Sequence, residues 1–188
     1  SWWTRLPADE FHRRPMEEVA ISVLNLGFFA VVVVLAGWLG TRLFDSTVGA
    51  LAAALIVGTD LFWQFANSGL PTLLLMGLVL LLMHLMLGFE REAASELPRR
   101  GRLMLLALGS GAMAGLMFLT QYSFGWLLLP LLGFLAWRGT GVRGRVLGLA
   151  VVAFLVLAGP WVTRNIVVCG QPLGTAGFAA LSGTESFP

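Results

Sequence analysis

The sequence predicts an all-α fold, a polytopic transmembrane helix bundle of about six spans. Three observations carry that expectation. Of the 188 residues, 57% are hydrophobic and only 12% are charged, against about 25% charged in an average soluble domain. Mean hydropathy is +0.85, more apolar surface than a soluble fold of this size can hide. The apolar residues fall into long runs separated by short polar or glycine-bearing breaks, as bilayer-crossing helices require. Composition thus excludes a soluble enzyme, a disordered tail and a nucleic-acid module, and it makes the lipid bilayer the first partner.

The runs are 19–39, 47–66, 70–89, 103–119, 123–137 and 146–163. A crossing helix needs about 20 residues, so the fifth run is short. One alternative is that 103–137 forms a single tilted helix plus a re-entrant piece. The polar cluster from Thr120 to Ser123 favours a break there instead. Asp45-Ser46 offers a cap for the second span. Asn67-Ser68-Gly69 ends that span, and Pro71 suits a new helix start, where no N–H is needed. Pro130 is expected to kink the fifth span and Pro160 to close the sixth. Residues 1–18 then form a juxtamembrane segment, 19–163 the bundle and 164–188 a Gly-rich loop. Both ends of the chain read as cut from a longer polypeptide.

All twelve basic residues are arginines. Arg42, Arg91, Arg99, Arg100, Arg102, Arg138, Arg143 and Arg145 fall on one side of the six-span topology. Arg5, Arg13, Arg14 and Arg164 fall on the other. The positive-inside rule then makes loops 90–102 and 138–145 cytoplasmic and residues 1–18 and 164–188 extracytoplasmic. The bacterial inner membrane is the expected location. The pI near 9.5 comes from these loop arginines and not from a nucleic-acid-binding face. One cysteine, Cys169, allows no internal disulfide.

Small residues recur four apart at Ala50, Ala54 and Gly58, and at Ala107, Gly111 and Gly115. In lipid such stripes let helix backbones approach closely. RGTGVRGR at 138–145 spells GxGxxG, but a dinucleotide site needs that motif between a strand and a helix; here its glycines read as a turn between spans. His84 lies within a span and His12 outside on the opposite side, so they cannot hold a haem together. Hydrogen bonding to a neighbouring helix suits His84.

Asp60 is a carboxylate inside the second span, either functional, or facing a water-filled vestibule, or hydrogen-bonded to a neighbouring span. Asp9-Glu10 followed by His12-Arg13-Arg14 is the richest polar cluster, suited to acid–base chemistry or phosphate binding, or to a self-paired interfacial segment. Arg164 suits an anionic headgroup or a diphosphate, or simple snorkelling. Asn67, Gln121, Tyr122 and Asn165 join Asp60 as candidates to line a cavity on the same side.

Several stretches together resemble one family. PWVTRN and the loop after it resemble the PWxxRN segment of integral-membrane glycosyltransferases of the GT-C type. GLMFLTQYSFGWLLLPLLGFLAW resembles their GLxxLTRYxxxxLLP helix pair. VVVVLAGWLGTRLFDSTVGALAAALIVGTDLFWQFANSGLPTLL resembles their GRRLFG-like turn, helix and SGL turn. The resemblance spans residues 19 to 188, in order. Relatives include the dolichyl-phosphate-mannose–protein mannosyltransferases and the transferase that adds aminoarabinose to lipid A.

The resemblance implies transfer of a sugar from a polyprenyl-phosphate carrier to an extracytoplasmic acceptor. It places Arg164, with Arg13 and Arg14 nearby on that side, at the carrier phosphate. It implies a catalytic Asp in an external loop that lies mostly upstream. Asp9 and Glu10 match that acid in type but sit close to the following helix. Gln121 stands where the family has Arg. The sequence calls for no cofactor and leaves a divalent metal open. A different class of reading makes the chain a non-catalytic accessory subunit that packs against other membrane subunits of a larger complex.

Overall fold

A computed structural model of the chain describes residues 8–68 and 71–174; within 8–18 it describes the backbone alone. Among the described residues every regular element is helical: α1 (Ala8–Leu43), α2 (Ser46–Gly58), α3 (Asp60–Asn67), α4 (Thr72–Ala93), α5 (Arg100–Thr120), α6 (Leu128–Arg138) and α7 (Arg143–Cys169). A 3-10 turn, Tyr122–Leu127, precedes α6. The chain divides into two compact units, Ser1–Leu81 and Leu82–Pro188, with the boundary inside α4.

Four of these helices are long and apolar enough to cross a membrane: α1 over Val19–Leu43, α4, α5 and α7. The pair α2 and α3 counts as a fifth if it forms one bent span, its two halves meeting at 59°. That places an integral-membrane protein on firm ground. The fifth apolar run meets no such test by itself, because its regular helix, α6, has only 11 residues.

In the first unit, α1 and α2 form an antiparallel hairpin. Asp45 caps α2 through its Oδ1, which accepts from the Val48 N–H at 2.8 Å. The small-residue contact is real but one residue out of the expected register. Gly49, not Ala50, meets α1: a Cβ on Gly49 would stand 2.6 Å from the Gly37 carbonyl oxygen and 2.9 Å from the Thr41 nitrogen. Ala53 stands against Gly37. Ala50 and Ala54 are exposed, and Gly58 has open space beside it. Composition around the stripe could not choose among neighbouring faces, since the whole of α2 is apolar and small.

The helix breaks beside Asp60 because Thr59 is extended (φ −92, ψ 117). The break is satisfied locally. The Thr59 hydroxyl donates to the Leu55 carbonyl at 2.6 Å, and the Trp63 indole N–H donates to the Val57 carbonyl at 2.8 Å. These are carbonyls that a helix end otherwise leaves to solvent. Phe29, Ala66 and Leu73 form the core of this unit.

In the second unit, α5 and α7 pack in parallel. Gly111 lies against Ala150, Gly115 against Phe154 and Leu157, and the Phe118 ring meets the Phe154 ring at 5.6 Å. A Cβ on Gly111 would overlap the Ala150 carbonyl oxygen, so only glycine permits this approach. Two consecutive parallel helices need a return path, and the 3-10 turn with α6 provides it. Phe89 at the end of α4 meets Phe134 of α6, and Glu90 pairs with Arg138 at the end of α6. Glu92 pairs with Arg102 at the start of α5, at 3.3 Å. The last turns of α4 and α6 and the first turns of α5 and α7 therefore share one end, rich in arginine. The break expected at 120–123 is present: Gln121 is extended (φ −153, ψ 116).

Both prolines behave differently from expectation. Pro130 is the third residue of α6, where first-turn N–H groups have no helical partner to lose, so the irregular stretch lies before it. Pro160 sits inside α7, which continues to Cys169 and stops at Gly170 in the left-handed region (φ 70). Arg164 and Asn165 consequently stand on a helix rather than in a loop.

Candidate functional site

At the end of the second unit opposite the 94–98 and 139–142 turns, three side chains from two elements meet. Tyr122 opens the 3-10 turn directly after the extended Gln121. Trp161 and Asn165 stand four apart on the last turns of α7 and so share a face. The Tyr122 hydroxyl oxygen accepts from the Trp161 indole N–H at 2.7 Å and from the Asn165 amide at the longer 3.4 Å. The same Asn165 amide group donates to the Pro172 carbonyl, also at 3.4 Å. Asn165 is 4% exposed. Gly174, at φ +58, passes over it, where a Cβ would stand 3.4 Å from the amide carbon. A tyrosine hydroxyl can both accept and donate. Among the described residues the Tyr122 hydroxyl accepts these two contacts and donates none.

Arg164 belongs to this arrangement through Trp161. Its guanidinium lies 5.1 Å from the Trp161 ring centroid, one turn earlier on the helix, within the range of a cation–π contact. It has no carboxylate partner among the described residues. Tyr122 thus fixes Trp161, and Trp161 supports an exposed cation.

Beside this cluster runs a groove of about 490 Å³ between α5, the 3-10 turn, α6 and α7, with Leu173 at its edge. Its walls are apolar: Phe118, Trp126, Phe154, Leu155 and Val162 among them. Ala158 and Gly159 leave room on the α7 side. Gly125 lets the Phe118 ring in, since a Cβ there would stand 2.7 Å from that ring. The polar side chains on its lining are Tyr122 and Thr163, and Arg164 follows Thr163 on the helix. The arrangement suits an amphiphile with an apolar chain and an anionic head.

Of the expected cavity residues, the second unit brings Tyr122 and Asn165 together. Gln121 is adjacent and exposed, and it supplies its backbone to the turn. Asp60 and Asn67 belong to the first unit, both on α3. The Asp60 carboxylate accepts from Gln64 at 2.6 Å, and the Asn67 amide donates to the Trp63 carbonyl at 3.0 Å. Asn67 lines a separate cavity of about 480 Å³ with Val19, Ser22, Leu26 and Trp63. Asp60 starts α3, where the helix dipole favours a carboxylate. Asp9, Glu10, Arg13 and Arg14 lie on the first turns of α1, and their side chains fall outside the described residues. His84 is buried within α4. Among the described residues no three His, Cys, Asp or Glu gather in a way that could hold a metal ion.

Trp161 is the residue the sequence undervalued. In the sequence it stands out only as part of PWVTRN, and its partner Tyr122 lies 39 residues away. The available signal was the four-residue spacing of Trp161 and Asn165 on a helix running past Pro160. Compared with known proteins, the chain matches no family model, no curated protein and no solved structure.

Proposed function

We propose that the chain is the membrane-embedded part of a glycosyltransferase that moves a sugar from a polyprenyl-phosphate carrier to an extracytoplasmic acceptor. One observation carries this reading: an apolar groove of about 490 Å³ has a tyrosine hydroxyl on its wall and, next to it, an arginine without a carboxylate partner among the described residues. Arg164 neutralises the carrier phosphate and makes it a better leaving group. The Tyr122 hydroxyl donates to a phosphate oxygen. Trp161 holds both in place. A carboxylate must take the proton of the acceptor hydroxyl; by residue type alone Asp9 and Glu10 are candidates for it, and Arg13 and Arg14 for further phosphate binding.

The same reading includes six crossings. The 3-10 turn and α6, with 6 and 11 residues, reach about 28 Å if laid end to end, close to the hydrocarbon thickness of about 30 Å. It also puts the arginine-rich loops in the cytoplasm, the Tyr122–Arg164 end outside, and the protein in the bacterial inner membrane.

The test is sugar transfer from a polyprenyl-phosphate-linked donor in membranes carrying the full-length protein. Arg164→Ala should reduce transfer at least a hundredfold; transfer at the unsubstituted rate removes Arg164 from the phosphate. Running the assay with and without a chelator reads the divalent metal that the sequence leaves open.

A second reading, a non-catalytic accessory subunit, draws on a different observation. Every described carboxylate of the second unit, Glu90, Glu92 and Glu96, belongs to the arginine-rich end or the loop beside it. None is near Tyr122 and Arg164. Absence of transfer from every lipid-linked donor, with another membrane subunit present in fixed stoichiometry, favours this reading.

A further inference from the structure

The arginine-rich end of the second unit holds a cavity of its own. It measures about 270 Å³ and is lined by Arg100, Gly141, Val142, Arg143, Gly144 and Arg145. Three guanidinium-bearing residues from two helices therefore border one small space. Three other arginines at this end are already engaged. Arg102 pairs with Glu92, and Arg138 pairs with Glu90. Arg91 also has a partner. Arg100, Arg143 and Arg145 make no ion pair among the described residues. Three like charges around one space repel each other, and bound negative charge relieves that repulsion.

The backbone adds to the same field. The N-termini of α5 and α7 flank the cavity. Neither has an acid in its own first turn; α7 has no side-chain cap, while the Glu92 carboxylate of α4 accepts from the Arg99 N–H at the start of α5 at 2.9 Å. Their first N–H groups carry partial positive charge. Gly141, at φ +82, makes the turn that brings the start of α7 to this place. The GxGxxG spelling thus has a local use unrelated to a dinucleotide fold.

From the convergence of three arginines without ion-pair partners on one cavity, we infer that Arg100, Arg143 and Arg145 form a binding site for a phosphate group. Arginine matches phosphate geometry with paired N–H donors. The favoured source is the headgroup of an anionic phospholipid. Trp137 is exposed at the end of α6, stacked near Arg138, as tryptophans at a membrane interface are. Leu105 and Leu108 of α5 present exposed apolar surface one to two turns deeper, where acyl chains would lie. Basic pockets at helix ends are a recurrent form of headgroup site. This inference is independent of glycosyl transfer, which concerns the other end of the unit.

The experiment measures retention of phosphatidylglycerol by the purified full chain in zwitterionic nanodiscs, with phosphatidylcholine as the comparison and inorganic phosphate as the competitor. The unsubstituted protein should prefer phosphatidylglycerol at least tenfold. Arg143→Gln with Arg145→Gln should lose most of that preference. Arg91→Gln with Arg99→Gln removes the same net charge from the same end and should change it less than threefold. Displacement by millimolar inorganic phosphate without any lipid preference supports the site and assigns it to a soluble phosphate. Equal loss in the two double variants overturns the inference, because net charge alone would then explain binding. So does a protein that prefers neither anionic lipid nor phosphate, an outcome that needs no variant.

Discussion

Trp161 makes two different contacts, one through its indole N–H to Tyr122 and one through its ring face to Arg164. Removing the tyrosine hydroxyl therefore reaches the arginine without touching it. Tyr122→Phe leaves the Trp161 N–H without its acceptor and deprives buried Asn165 of one partner. The expected cost is about 1–2 kcal/mol of stability, read as a lowered Tm in detergent; an unchanged Tm would mean that water replaces the hydroxyl without loss. Arg164 was legible in the sequence as a lone cation after PW, and Asn165 and Tyr122 as polar residues in apolar surroundings. Trp161 was not, because its role depends on a residue from another element. The small-residue stripe of α2 shows the same limit. Gly49, Ala50, Ala53 and Ala54 are interchangeable by composition, and only the approach of Gly37 and Gly40 selects the face.

At the scale of helices, glycine position decides how closely two elements meet. Gly111 and Gly148 make a paired test, since both lie within helices of the second unit. A methyl on Gly111 would overlap the Ala150 carbonyl, whereas Gly148 has open space beside it. Gly111→Ala should destabilise the α5–α7 pair by about 1–3 kcal/mol. Gly148→Ala should stabilise α7 by up to about 1 kcal/mol through helix propensity. Thermal unfolding of the two variants must move in opposite directions; movement in the same direction contradicts the parallel α5–α7 contact. The stripe of Ala107, Gly111 and the glycine one turn on was readable from its spacing alone, and Ala107 and Gly111 are buried on the packed face. The end of α7 was not readable: Pro160 looks like a terminator, yet the helix tolerates it and runs on to Cys169. The break at Thr59 was equally hidden, because its support comes from Trp63 reaching back to Val57.

For the molecule as a whole, composition already pointed to a helical membrane protein, and the structure supplies, among the described residues, four helices long and apolar enough to cross a membrane and a bent fifth candidate. What composition could not supply is direction. In the second unit the parallel course of α5 and α7, with ion pairs gathered at their starts, puts the 94–98 and 139–142 turns at one end and Cys169 at the other. Single cysteines check this in intact membranes. Ser95→Cys and Thr140→Cys, each made in a Cys169→Ser background, should react with an impermeant thiol reagent from the same side. The native Cys169 should react from the opposite side. Labelling of Thr140→Cys from the side opposite Ser95→Cys, with Cys169 reacting from the Ser95 side, would mean that the 3-10 turn and α6 do not return across the bilayer.

The most direct measurement is binding of farnesyl phosphate against farnesol by the purified chain, with Arg164→Ala alongside. The site described here predicts at least tenfold tighter binding of the phosphate, and loss of that advantage in Arg164→Ala while farnesol binding stays the same. Equal affinity for the two ligands, or a phosphate preference that survives Arg164→Ala, would contradict an anionic-headgroup site at Tyr122, Trp161 and Arg164.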